Sequence, residues 1–147
     1  MTAVQSNRSI PGAQVIPELA YPDVAAASAW LCKAFGFSPR LEIANHRVQL
    51  TYGAGAVIVV TGDDVDAEAA ARATHSVLVR VDSADSHYER ARAAGAKIAS
   101  PPTTYPFGER QYSAQDLYGH RWTFSQSVAD VDPRDWGGSL VANDDAS

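Results

Sequence analysis

Two aspartates and two glycines divide this sequence into matching halves. Asp23 stands 59 positions before Asp82, and Gly36 stands 59 positions before Gly95. Each Asp–Gly pair brackets a segment with apolar residues every three to four positions. These are Val24, Ala27, Leu31 and Ala34/Phe35 in the first half, and Ala84, Tyr88, Ala91 and Ala94 in the second. An aspartate before such a run is an N-cap signal and a glycine after it a C-cap signal, so each half carries a helix, Val24–Phe35 and Ala84–Ala94. Beyond the second helix the offset grows to 64, as in Gly55/Gly119 and Val60/Phe124. The five extra residues fit an insertion at Pro101–Gly108.

The segments around the helices read as strands. Val15–Tyr21 precedes the first helix. Arg40–Ile43, Arg47–Tyr52 and Ala56–Thr61 follow it, separated by turn residues. His75–Val81 precedes the second helix. Ala96–Ser100, Gln111–Ala114 and His120–Ser125 follow, with Pro101-Pro102 ending the first of them. Each half is therefore βαβββ. Gly62–Thr74 is acidic, then alanine-rich, and reads as a linker with a possible helical turn. The segment after Val128, with Trp136-Gly137-Gly138, shows no periodicity.

Composition removes several classes of function. Twelve basic against seventeen acidic residues give a net charge of −5, which excludes a strongly basic nucleic-acid binder. No apolar run approaches bilayer length, so no membrane partner is expected. The single cysteine, Cys32, cannot form an internal disulfide or a cysteine zinc cage. The first twelve residues lack the apolar core of a secretory signal, and the expected location is the cytoplasm. Walker, dinucleotide-binding and nucleophile-elbow motifs are absent.

The duplicated layout and its wording resemble the vicinal oxygen chelate superfamily, also called the glyoxalase/bleomycin-resistance/dioxygenase superfamily. Val15-Ile-Pro-Glu-Leu-Ala-Tyr-Pro-Asp23 resembles its opening strand and turn. Ala34-Phe-Gly-Phe37 and Tyr88-Glu-Arg-Ala-Arg-Ala-Ala-Gly95 resemble the closes of its two helices. Gly108-Glu-Arg-Gln-Tyr-Ser-Ala-Gln-Asp116 and Tyr118-Gly-His-Arg-Trp-Thr-Phe124 resemble its final strand–turn–strand. The resemblance implies an α+β fold, with two βαβββ modules forming a cupped mixed sheet and helices on the outer face. It places an arm at 1–14, module one at 15–62, a linker at 63–74, module two at 75–126 and a tail at 127–147. It also implies a homodimer.

Metal-dependent members of that superfamily place a ligand on the first and last strand of each half. Carried over at offsets of 59 and 64, those positions are Ile16, Val59, His75 and Thr123. A divalent ion needs His nitrogen or carboxylate oxygen converging at about 2.0–2.6 Å. Only His75 qualifies, so no metal and no other cofactor are expected, which weakens the metal-dependent reactions of the superfamily.

His75 has two readings: a base in the cup, or a polar residue at a strand edge. Arg110 can clamp an anion in a bidentate way, or pair with a nearby acid. Arg121 and Thr123 share a strand face and can point inward, while Trp122 and Phe124 point to the core. Tyr52, Tyr105, Phe107 and Tyr112 are candidate ligand-stacking aromatics, or core filling. His87, among charges on the second helix, reads as exposed. Two functions remain. One is a metal-free binder of an aromatic or anionic small molecule. The other is a superfamily enzyme with His75 as base and Arg110 as clamp.

Overall fold

The computed structural model describes residues 7–62 and 75–140. The linker expected at 63–74 lies outside the described residues. Module one contains β1 (Glu18–Tyr21), α1 (Val24–Phe35), β2 (Ser38–Ile43), β3 (Arg47–Tyr52) and β4 (Gly55–Thr61). Module two contains β5 (Val77–Arg80), α2 (Ala84–Ala93), β6 (Lys97–Thr104), β7 (Glu109–Gln115) and β8 (Arg121–Ser127), followed by a short 3₁₀ turn, Pro133–Trp136. The fold is α+β, with two four-stranded mixed sheets ordered β1-β4-β3-β2 and β5-β8-β7-β6. In each, the first strand lies parallel to the fourth and the rest are antiparallel.

Local chemistry sets the helices. The Asp23 side chain accepts from Ala26 N, and Gly36 closes α1 in the left-handed region at φ 86°. In α2 the cap is Ser83, which accepts from Ser86 N, rather than the expected Asp82. Counted from its true cap, the second helix is offset by 60. Val24, Ala27 and Leu31 therefore match Ala84, His87 and Ala91, and all six are buried. The same offset joins Leu19 to Val79, and an offset of 65 joins Val59 to Phe124. These pairs hold equivalent places in the parallel ladders Leu19↔Val59 and Val79↔Phe124.

Strand β6 also departs from expectation, continuing through Pro101-Pro102 to Thr104. It is an edge strand whose register shifts between Ser100 and Thr103. The prolines fall in that irregular stretch, where a ladder loses little by lacking their N–H groups.

The helices pack against one another and against one face of each sheet. One core results. The Phe35 ring, from α1, meets Trp122 and Phe124 of β8 at centroid distances of 5.3 and 4.8 Å, and stacks on His87 of α2. Burying each such aromatic contributes about 1.5–3 kcal/mol. Because the rings come from both modules, neither module encloses a core by itself.

His87 is buried, not exposed as its charged neighbours suggest. Its Nε2 lies 2.8 Å from the Phe35 carbonyl and its Nδ1 bonds the Tyr112 hydroxyl. A carbonyl only accepts, so Nε2 carries the proton and Nδ1 accepts from Tyr112. Burial holds the His87 pKa below the usual histidine value.

The faces turned away from the helices differ. On module one, Gln49 and Ile58 are each 3% exposed. The N-terminal arm crosses this face: Gln49 Nε2 donates to Ser9 O at 2.8 Å, and Arg40 donates to Arg8 O at 3.0 Å. On module two the matching positions, Ser113 and Thr123, are only half-buried and bond each other at 2.9 Å.

Candidate functional site

The site follows from how each module's last hairpin meets the first strand of the other. The β7–β8 turn is fastened to β1. Asp116 Oδ2 accepts from the Tyr21 hydroxyl at 2.6 Å and from Trp122 Nε1 at 3.0 Å. Asp116 Oδ1 accepts from the backbone N–H groups of Tyr118 and His120, each at 3.0 Å. His120 Nε2 then donates to Ala20 O at 2.9 Å. Burial, then the neighbouring carboxylate, drive the Tyr21 hydroxyl pKa far up, so it stays a donor.

The β3–β4 turn, Gly53-Ala54, carries no such side chains. Between it and β5 lies a cleft of about 510 Å³, within the usual range for small-molecule sites. Tyr52 and Gly55 form its hairpin wall, and Val77, Leu78 and Arg80 its β5 wall. Phe37 and Val57 reach it from the core side, and Val15 and Pro17 from before β1. Gly53 has φ 58°, a conformation that favours glycine.

Arg80 is the charged side chain of this cleft. It donates from Nη2 to Ser127 Oγ at 2.9 Å. Ser127 and Ser125 in turn donate to the two Glu109 oxygens, and Gln111 Nε2 donates to Ser125 Oγ at 3.0 Å. A polar chain thus runs across the open face of the second sheet. The two serine hydroxyls, and then Arg80, hold the Glu109 carboxyl below its ordinary range.

The structure distributes the sequence-predicted residues widely. Tyr52 lines the cleft. Thr123 sits on the open face of β8, and Arg121 is exposed at the start of that strand. Tyr112 is fully buried on the helix face, bonded to His87. Tyr105 and Phe107 stack on each other, centroids 5.4 Å apart, and Trp136 meets Phe107 at 5.7 Å. The tail therefore returns to the β6–β7 turn. Val128 and Ala129 donate to Gly108 O, and a side chain on Gly108 would collide with Ala129 O.

His75 is exposed, two residues before β5, and is not among the residues lining the cleft. Arg110 points to the helix side. Its Nε and Nη2 donate to the two Asp85 oxygens and its Nη1 to Thr104 Oγ1, all at 3.0 Å. The pairing expected as the alternative for Arg110 is thus the one present, with Asp85 as the acid. Sequence reasoning passed over Leu78 and Arg80. The signal was available: Val77, Val79 and Val81 alternate into the core, which sends Leu78 and Arg80 to the other face.

The four positions expected for metal ligation do not assemble. Val59 is fully buried in the core, one residue out of step with Thr123. Ile16 is apolar, His75 lies outside the cleft, and the Thr123 hydroxyl is taken by Ser113. Of the nearby carboxylates, Glu18 pairs with Arg47 at 2.7 Å and Glu109 is held by two serines. Among the described residues, no three His, Cys, Asp or Glu side chains gather to hold a metal. The donor set does not fit the superfamily's metal.

The duplicated sheets, capped helices and cross-module junctions define a class, and comparison identifies it. Residues 14–124 match the family described as the Glyoxalase/Bleomycin resistance protein/Dioxygenase superfamily. The chain belongs to that superfamily. It is similar to the structure of TioX from Micromonospora sp. ML1, with 32% identity over 80% of this chain and 100% of that one, at a TM-score of 0.65. The fosfomycin resistance protein FosX from Listeria monocytogenes shares the fold at 16% identity, covering 80% of this chain and 94% of that one, TM-score 0.63. Lactoylglutathione lyase from Agrobacterium tumefaciens does so at 16% identity, covering 88% and 100%, TM-score 0.59. No curated protein sequence matches the chain. Among the described residues no helix is long and apolar enough to cross a membrane.

Proposed function

We propose that this protein binds a small, ring-bearing molecule in the cleft between the β3–β4 turn and β5, without a metal and without turnover. The observation that carries the reading is the cleft of about 510 Å³, whose walls are mostly apolar and whose counterpart at the other hairpin junction is closed by hydrogen bonds. Apolar walls with one oriented polar group are the usual composition of a ligand site. The enzymatic alternative has less support, because its base is exposed outside the cleft and its clamp is engaged with Asp85.

The test is a thermal-shift screen of planar aromatic antibiotics and 2-oxo acids against the wild type and Leu78→Trp. Leu78 is 62% exposed at the cleft wall, so the larger ring fills space without entering the core. A ligand at a hundredfold excess over its Kd adds about 2.7 kcal/mol to stability. The expected result is a compound that raises the wild-type Tm by several degrees, leaves Leu78→Trp unmoved and is recovered unaltered. Product formation would move the protein to the enzymes. Equal shifts in both proteins would remove the cleft as the site.

A further inference from the structure

We propose that the cleft selects an anionic ligand, an apolar ring system bearing a carboxylate or an equivalent acid, and that Arg80 is the residue that recognises the charge. The inference rests on the cleft being the ligand site.

Placement comes first. Arg80 ends β5 on the same strand face as Leu78, and both line the cleft. Leu78 offers an apolar wall and Arg80 a guanidinium at its edge. A ligand that lays rings against Leu78, Tyr52 and Phe37 shares the cleft with Arg80, which we assign to its charged substituent.

The second observation is the hydrogen-bonding capacity left on Arg80. A guanidinium has five N–H donors. Among the described residues Arg80 makes one hydrogen bond, to Ser127. Its link to Glu109 is indirect, since Ser127 stands between them. Both Glu109 oxygens already accept serine hydroxyls, so Glu109 holds Arg80 in place through Ser127 without taking its remaining donors. Arg110 has the opposite state. All three of its side-chain nitrogens donate, two of them to Asp85.

The third observation is the apolar surround. Val77, Leu78 and Val79 precede Arg80 along the cleft wall, and Val15 and Pro17 also line it, while Arg80 itself is exposed. A ligand ring seated on these side chains displaces water from beside the guanidinium, and a charge-assisted pair gains strength there. Such a pair also has a fixed geometry, because the guanidinium fork matches a planar carboxylate.

Two dyes that share an aromatic body test this. Anilinonaphthalene sulfonate carries an acid, and phenylnaphthylamine is its uncharged parent. Titrations by fluorescence use the wild type, Arg80→Met, Arg110→Met and Leu78→Trp. The wild type should bind the sulfonate about tenfold or more tightly than the neutral dye, as expected for charge-assisted hydrogen bonds. Arg80→Met should bring the two dyes to within about twofold of each other by loss of sulfonate affinity alone, on the same scale. Arg110→Met should keep the wild-type preference, and Leu78→Trp should weaken both dyes.

If Arg80→Met retains the preference, or Arg110→Met loses it, Arg80 is not the anion-recognising residue. If the wild type binds the neutral dye as well as the sulfonate and Leu78→Trp weakens both, the cleft stands and the anionic preference falls. If Leu78→Trp weakens neither dye, the cleft reading fails and takes this inference with it.

Discussion

The two hairpin turns occupy equivalent places in a duplicated fold and do opposite work. In module two, Asp116 gathers a phenol, an indole and two backbone amides, and binds the hairpin to β1 of the other module. In module one the turn is Gly53-Ala54, and the space beside β5 stays open. The outward sheet faces differ in the reverse sense. Module one's face lies under the N-terminal arm at Gln49, while module two's presents serine and threonine hydroxyls. A duplicated fold can thus hold itself together at one junction and stay open at the other.

Removing the clasp should have the largest effect. Asp116→Ala leaves the Tyr21 hydroxyl and the Trp122 indole N–H, both buried, without an acceptor. Each such group costs about 1–3 kcal/mol, so urea denaturation should show a loss of about 2–6 kcal/mol. A loss below about 1 kcal/mol, the scale of a surface change, would mean that the module-two junction is held by packing alone, and the contrast with module one would lapse.

The next effect concerns pH. His87 takes the place that Ala27 holds in α1, and its folded pKa is depressed by burial. The unfolded chain therefore takes up this proton first, near pH 6.5. The stability that neutral His87 supports is complete above that pH and declines as pH falls toward the folded pKa, by up to about 1.4 kcal/mol per pH unit. Denaturation curves from pH 7.5 to 5 should show this decline in the wild type and a shallower one in His87→Gln. Equal slopes would show that another group is responsible.

The smallest effect compares the helix caps. Asp23→Ala and Ser83→Ala each remove one side-chain acceptor at a helix start. Each should cost about 1 kcal/mol. A cost at Asp82→Ala matching that at Ser83→Ala would show that both residues support the start of α2.

Much of this fold was legible because its signals are local. α1 and β3 occur at their expected bounds, since caps, turns and alternating side chains mark them. The site was less legible, because alternation turns a slip of one residue into a change of face. Asp82 as the cap gave an offset of 59, and Gly55/Gly119 with Val60/Phe124 gave 64, which matched Val59 with Thr123. The cap at Ser83 gives 60 and the parallel ladders give 65, matching Val59 with Phe124 in the core and Ile58 with Thr123 outside. His87 was misread for a different reason. Its partners, Phe35 and Tyr112, lie 52 and 25 positions away, and nothing in the charged helix sequence announces them. Arg110 was drawn from a motif, while its neighbour Asp85 is brought to it by the packing of α2 on β7.

The clasp at Asp116 also carries a meaning for how the chain assembles. The Tyr21–Asp116 and Ala20–His120 bonds join residues 95 and 100 positions apart, whereas β3 meets β4 and β7 meets β8 across turns of a few residues. Closing the longer loop costs more entropy, which predicts that the hairpins precede it and that the clasp is made late. Asp116→Ala should then raise the unfolding rate and leave the folding rate nearly unchanged in stopped-flow measurements. An interaction made late leaves the folding rate nearly untouched and governs the rate of opening. Asp116 is thus less a residue that helps the chain find its fold than one that sets how long the two halves stay shut.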